Sequence, residues 1–285
     1  MSYKKALTRL LDRPGGRFLL GKFATSFLQR SGGDGVEIVY VDGMWTRRVG
    51  RHSFPDGLRF EYKYADFQTW KQQAEIYASE TKEYWLQHYK PQEGDIIVDV
   101  GAGRGEDTLT FSQGVGKTGR VIAIEAHPRS FAILKNFCRL NHLSNVTVLQ
   151  LALLDKQGTV QMVESEPSWT ENSIDSGNSG SGISVQAGTL DDVCKAQGLQ
   201  EIAFVKMNIE GSERHALLGM ESVLPQVRQI CVACHDFRAD GGHGEQFRTR
   251  AFVEQFLVEH GFTITSRRDD PRDYVRDHVF GVKQA

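Results

Sequence analysis

The sequence predicts an α/β protein: a mostly parallel sheet with helices on both faces and an antiparallel last strand, preceded by an N-terminal extension of helices and a hairpin. Three observations carry this. From Lys90 onward, short apolar runs of strand length alternate with helical stretches, the pattern of a sheet built from crossover units. A glycine turn, Gly101-Ala-Gly103-Arg-Gly105, joins the first such run to the first such helix. No helix is legible between the last two runs, so the final strand is expected to run antiparallel. The 285 residues suit one large domain with an extension, and the boundary is drawn between 89 and 90.

Composition narrows the function. Lys and Arg number 34 against 36 Asp and Glu, a net charge of -2, so the basic excess of a nucleic-acid binder is missing. At 40% hydrophobic and 25% charged residues the chain is an ordinary globular one. No apolar run approaches the roughly 20 residues that span a bilayer, so an integral membrane protein is not expected. Four cysteines and a start, MSYKKALTRL, that leads into no secretory pattern point to a reducing, cytoplasmic setting.

Within residues 1–30, seven cations face one acid, Asp12, and Phe18, Leu19, Leu20, Phe23 and Phe27 interrupt them. The favoured reading is a helix packing these apolar residues on its own core; the other is a basic amphipathic helix touching a membrane or an anionic partner. Val36 to Val41 alternates into Asp42-Gly43, a strand entering a tight turn. Phe67, Trp70, Ala74, Tyr77, Thr81, Tyr84, Trp85 and His88 recur every three or four residues and form one face of a long helix, suited to cover a cofactor or pack against a second copy. Strands are then expected at 95–100, 121–124, 145–151, 202–209, 229–234, 262–265 and 274–282, with 159–163 a further edge element. Helices are expected from Gly105 to about Gly114 and over 129–140, 212–221 and 248–260. Thr189 reads as the N-cap of a short helix. Residues 164–182, rich in Ser, Gly and Asn, read as a loop.

In such a sheet, ligands sit at the carboxyl ends of the strands. The glycine turn lets backbone approach a ligand, and Glu125, 24 residues after Gly101, stands where a carboxylate accepts ribose hydroxyls. A dinucleotide turn wants a small residue at its sixth position, but Glu106 stands there with Asp107 beside it. These acids repel a pyrophosphate and tolerate a sulfonium or amino group, and Asp99 adds a third carboxylate. The charges favour S-adenosylmethionine over NAD, leaving an NAD-dependent oxidoreductase and a non-catalytic relic of the fold as rivals.

Asp99-Val-Gly-Ala-Gly103, Glu125-Ala-His-Pro128, Leu151-Ala-Leu-Leu-Asp155, Thr189-Leu-Asp191 and Val205-Lys-Met-Asn-Ile-Glu-Gly-Ser-Glu213 occur in order. This succession resembles the FkbM-type family of class I S-adenosylmethionine-dependent methyltransferases over roughly residues 75–240. The resemblance implies a Rossmann-like sheet, methyl transfer usually to a hydroxyl of a natural product or sugar, and S-adenosyl-L-homocysteine as product; N- or C-methylation stays open. It places Asp99, Gly101, Ala102 and Gly103 at the methionine part, with Asp107, Thr108 and Asn208 nearby. Glu125 and Ala126 fall at the ribose, and Leu151 and Ala152 at the adenine. Asn208 stands where the family usually has Asp, and Asn serves neither as a base nor as a strong hard-metal ligand, so a divalent metal is possible but not favoured.

The acceptor must lose a proton, so bases are sought at strand ends. His235 followed by Asp236 suits a general base with an orienting carboxylate, and Glu210 is the second candidate. Arg238 and His243, in the Gly-rich stretch after that strand, are expected to bind a small-molecule acceptor. Cys231 and Cys234 point to opposite faces of a strand and read as packing. His52, His88, His142, His215, His260 and His278 lack ligand spacing.

Overall fold

The computed structural model describes residues 8, 10–33, 35–60, 70–163, 173–174 and 182–283. The chain divides into two compact units, Met1–Glu80 with Ile133–Ser144, and Thr81–Ala132 with Asn145–Ala285. The sequence-drawn boundary at 89/90 falls later, because Trp85 and Tyr89 pack with Phe111 and Phe204 in the second unit's core. Phe67 and most of the 164–182 loop lie outside the described residues.

The first unit holds helix α1 (Arg17–Arg30) and a meander of β1 (Val36–Val41), β2 (Met44–Val49) and β3 (His52–Gly57). Its core joins Leu20, Ala24 and Leu28 of the helix to Val36, Ile38 and Trp45. Gly21 lets α1 close on β1, since a Cβ there would stand 2.8 Å from the Ile38 carbonyl oxygen. Thr25 Oγ1 accepts the Ile38 N–H at 2.9 Å, satisfying an edge-strand donor. The favoured packing of this helix is corrected: Phe18 (72%), Phe23 (66%), Phe27 (53%) and Leu19 (51%) are exposed, and only Leu20 of the five apolar residues is buried. Helix α2 (Gln73–Tyr84) is shorter than the aromatic stripe suggests, and Trp85 and His88 follow it.

The second unit carries a seven-stranded sheet in the order β13-β14-β12-β11-β4-β5-β6. Its central strands are β4 (Ile96–Val100), β5 (Arg120–Glu125), β11 (Ile202–Met207) and β12 (Val227–Ala233), and its edge is β6 (Val146–Gln150). These pair in parallel, and β11 is buried throughout, as strands covered on both faces must be. Along the chain, helices α3 (Glu106–Val115), α4 (Pro128–Leu140, counted with the first unit from Ile133 on), α5 (Leu190–Gln197), α6 (Glu213–Leu218), α7 (Asp236–Asp240) and α8 (Arg250–Glu259) lie between strands. Thr189 caps α5, its Oγ1 accepting the Asp192 N–H. The last strand, β14 (His278–Lys283), lies antiparallel between β12 and β13 (Phe262–Ser266), as expected. A short helix α9 (Asp273–Arg276) precedes it where the sequence suggested strand.

One element is misplaced by the sequence reading. The segment expected as a further edge strand is β8 (Gly158–Val163), and it belongs to a separate sheet with β7 (Ala152–Leu153), β9 (Ser173–Ile174) and β10 (Ile183–Gly188). Among the described residues, no helix is long and apolar enough to cross a membrane.

Candidate active site

Strand order reverses between β4 and β11, the place where a doubly wound sheet opens a crevice. After β4 the chain turns through Gly101, Gly103 and Gly105, all at positive φ. A Cβ at Gly101 would stand 1.9 Å from the Asn208 carbonyl oxygen, so the backbone leaving β11 passes against this turn and only glycine fits. The Asn208 N–H donates to the Val100 carbonyl at 3.0 Å.

The turn opens on a cavity of about 380 Å³. Eleven of the residues singled out from the sequence line it: Gly101, Ala102, Gly103, Glu106, Asp107, Glu125, Ala126, Leu151, Ala152, Asn208 and Glu210. Glu125 accepts the Gly103 N–H at 2.9 Å on one oxygen and the His127 N–H at 2.8 Å on the other. Burial pushes its pKa up to about 7 against those two hydrogen bonds. Asp107 is likewise raised by burial to about 6, although Lys206 favours its charge.

Asp99 and Thr108 lie deeper. Both are fully buried and neither reaches the cavity wall. Thr108 Oγ1 donates to Asp99 at 2.7 Å, and the other Asp99 oxygen lies 3.0 Å from Lys206 Nζ. The sequence reading weighed Lys206 only as an ion-pair partner of Glu210, yet it ties the site together through Asp99 and Asp107. Only 2% exposed, it donates to the Gly101 carbonyl at 2.8 Å, stands 3.5 Å from Asp107 and lies over the Trp85 ring. Burial opposes its charge, but Asp99 and Asp107 outweigh that and hold its pKa above the ordinary value. A lone lysine inside the apolar run Ile202 to Met207 was the available signal. Thr81 Oγ1 donates to Asp107 at 2.8 Å, so the polar member of the aromatic stripe reaches this cluster.

A second cavity, about 370 Å³, adjoins it and shares Asn208 and Glu210 on its wall. Tyr84, Trp85, Phe237, Tyr274 and His278 give it an aromatic lining, with Arg238 and His243 also on it. Glu210 has φ +52°, a left-handed conformation that costs a non-glycine residue energy and that folds tolerate at functional positions. Its carboxylate takes Arg238 Nη1 at 2.5 Å and lies 3.3 Å from His235 Nε2. Burial would raise the Glu210 pKa, but these partners overcome it and keep the group ionised. Among the described residues, Asn208 Oδ1 is buried without a hydrogen-bond partner.

His235 differs most from expectation. Its Nδ1 lies 3.0 Å from Glu213, which is fully buried. Burial opposes protonation, but the bonds to Glu210 and Glu213 prevail and lift its pKa to about 10. The protonated imidazole is thus favoured between the two carboxylates, and a group that holds its proton is a poor general base. Asp236 does not orient it: that carboxylate accepts the Thr249 and Arg250 N–H groups, each at 3.0 Å, and caps α8. Asp236 thus stands apart from Glu210 and His235, and among the described residues no three His, Cys, Asp or Glu side chains gather to hold a metal ion. His278, also on this wall, stacks on Trp85 at 4.6 Å, and burial lowers its pKa to about 4. Its Nδ1 lies 3.2 Å from the Tyr84 carbonyl, a contact that needs the proton on Nδ1.

A crevice at the switch point, a buried carboxylate at the end of β5 and an adjoining aromatic pocket define an α/β protein of the Rossmann-like class. The methyltransferase FkbM domain family matches residues 99–264, more than half of the chain, and the chain belongs to that family. The protein-L-isoaspartate(D-aspartate) O-methyltransferase family matches residues 42–152. Among curated proteins, the 31-O-demethyl-FK506 methyltransferase FkbM of Streptomyces tacrolimicus is 33% identical over 93 residues, 32% of this chain and 32% of that protein. The aligned part thus spans about a third of that relative's length. Among solved structures, methyltransferase FkbM from Methylobacillus flagellatus has 20% identity and a TM-score of 0.49, covering 76% of this chain and 53% of its own. Fibrillarin from Aeropyrum pernix, solved with S-adenosyl-L-methionine, has 14% identity and a TM-score of 0.44, covering 87% and 100%.

Proposed function

We propose that this protein is an S-adenosylmethionine-dependent methyltransferase acting on a hydroxyl of a small natural product or sugar. The observation that carries the reading is the pair of adjoining cavities that share one wall at Asn208 and Glu210. The residues present fit the cofactor. Glu125 has lone pairs left for ribose hydroxyls, Leu151 and Ala152 offer apolar contact to an adenine, and the unpaired Asn208 Oδ1 suits an ammonium donor such as an amino acid carries. Glu106, Asp107, Glu125 and Glu210 outnumber Arg104 and Lys206 on the wall, which disfavours the pyrophosphate of NAD. Bound there, S-adenosylmethionine would supply an electrophilic methyl group on a sulfonium.

The chain's own residues then position the acceptor and manage its proton. Arg238 and His235 hold Glu210 ionised, so its carboxylate accepts the hydrogen bond of an acceptor hydroxyl and draws off the proton. His235 is a positioning residue in this scheme, with Arg238 and His243 contacting the acceptor. A cytoplasmic, reducing setting suits the four free, buried cysteines.

Two measurements test the proposal. S-adenosyl-L-homocysteine should raise the melting temperature while NAD should not; stabilisation by NAD alone would reverse the reading. With methyl-labelled S-adenosylmethionine and hydroxylated acceptors, label should enter an alkali-stable ether. Alkali-labile label would indicate a carboxyl acceptor, of the kind named in the L-isoaspartate family, and would overturn the hydroxyl assignment.

A further inference from the structure

We propose that the outward face of α1 docks on the anionic surface of a lipid bilayer. The helix is 14 residues long, about 21 Å at 1.5 Å per residue. At 100° per residue, Leu20, Gly21, Ala24 and Leu28 fall on one side and are buried. Phe18, Leu19, Lys22, Phe23, Ser26 and Arg30 fall away from it, Phe27 lies on the flank beside Leu20, and all seven are exposed. Four large apolar side chains, each more than half exposed, are interleaved there with two cations. Packing does not require this arrangement, because the inner face already binds α1 to β1 through Gly21 and Thr25.

The charge selects the occupant. Residues 17–30 contain no Asp or Glu. The single acid of residues 1–30, Asp12, is held by Arg17, by the Trp45 indole and by the Phe60 N–H. Glu37 of β1 borders Phe18 and Lys22 but pairs with Arg48, so the helix face is cationic in a chain whose net charge is -2. A second copy presenting the same face would set one cationic, acid-free helix against another. A soluble polyanion would use the cations and leave the phenylalanines in water. A bilayer with anionic headgroups uses both, with Phe at the headgroup and acyl boundary and Lys and Arg at the phosphates.

The test uses the whole protein and sedimenting vesicles, either phosphatidylcholine alone or phosphatidylcholine with phosphatidylserine. Binding is expected only to the anionic vesicles and should weaken with added salt. Phe18→Ser with Phe23→Ser should weaken it about a hundredfold, roughly tenfold for each ring no longer buried. Lys22→Glu with Arg30→Glu should abolish it. All four positions are exposed, so melting temperatures should match the parent, and S-adenosyl-L-homocysteine binding should be unchanged. The proposal is overturned if the parent ignores anionic vesicles or binds neutral ones equally well. It is also overturned if the phenylalanine variant binds like the parent, the mark of a polyanion site, or if the parent is a dimer that this variant splits.

Discussion

Replacing His235 by glutamine removes a buried cation from between Glu210 and Glu213, and the structure sets the size and pH dependence of the loss. The imidazole stands 3.0 Å from Glu213 and 3.3 Å from Glu210, and its pKa rises to about 10. The gap from the ordinary imidazole value near 6.5 corresponds to about 5 kcal/mol, similar to the roughly 3–5 kcal/mol lost when one partner of a buried pair is removed. A folded-state pKa raised above the unfolded one gives stability that is complete below the unfolded value and is lost as pH rises through the folded value. Parent and variant should thus differ by about 5 kcal/mol near pH 6, about 3 at pH 8 and under about 1 at pH 10, apart from a constant packing offset. Urea unfolding at each pH measures this directly. A difference that stays level from pH 7 to 10 would refute the imidazolium, and His235 would again be eligible as a base.

Four other outcomes follow from the geometry. Gly101→Ala places a Cβ 1.9 Å from the Asn208 carbonyl at φ +72°; it should cost more than about 3 kcal/mol in unfolding experiments and remove S-adenosyl-L-homocysteine binding. Glu125→Gln should leave the fold intact and weaken that ligand about tenfold to a hundredfold by calorimetry, the range for a lost charged hydrogen bond. Because burial raises the Glu125 pKa to about 7, the unliganded fold binds a proton that the unfolded chain has released. Stability should fall as pH rises from about 4.5 to 7, and Glu125→Gln should flatten that part of the profile. Glu210→Gln should lower kcat about a hundredfold or more while S-adenosyl-L-homocysteine affinity changes little; an unchanged kcat would remove Glu210 from the reaction.

Local patterns proved readable from the sequence alone. The turn at Gly101 to Gly105, the following helix and Glu125 at the end of the next strand are neighbours along the chain, and their spacing carries their geometry. The antiparallel last strand was legible because no long helix separates it from the strand before. Sheet membership of β8 was not: strand periodicity states that a segment is extended, not which strands it pairs with. The charge states were equally hidden. Lys206 meets Asp99 and Asp107, and His235 meets Glu213, across long stretches of sequence. Asp236, adjacent to His235 in the chain, turns away to cap α8.

The sequence by itself determined the α/β order of elements, the glycine turn and the acidic character of its mouth, since each depends on residues close together along the chain. Only the tertiary structure decided which carboxylates remain charged and which imidazole keeps its proton. It also decided that the phenylalanines of α1 face outward, because burial and ion pairing depend on neighbours that folding brings from elsewhere in the chain.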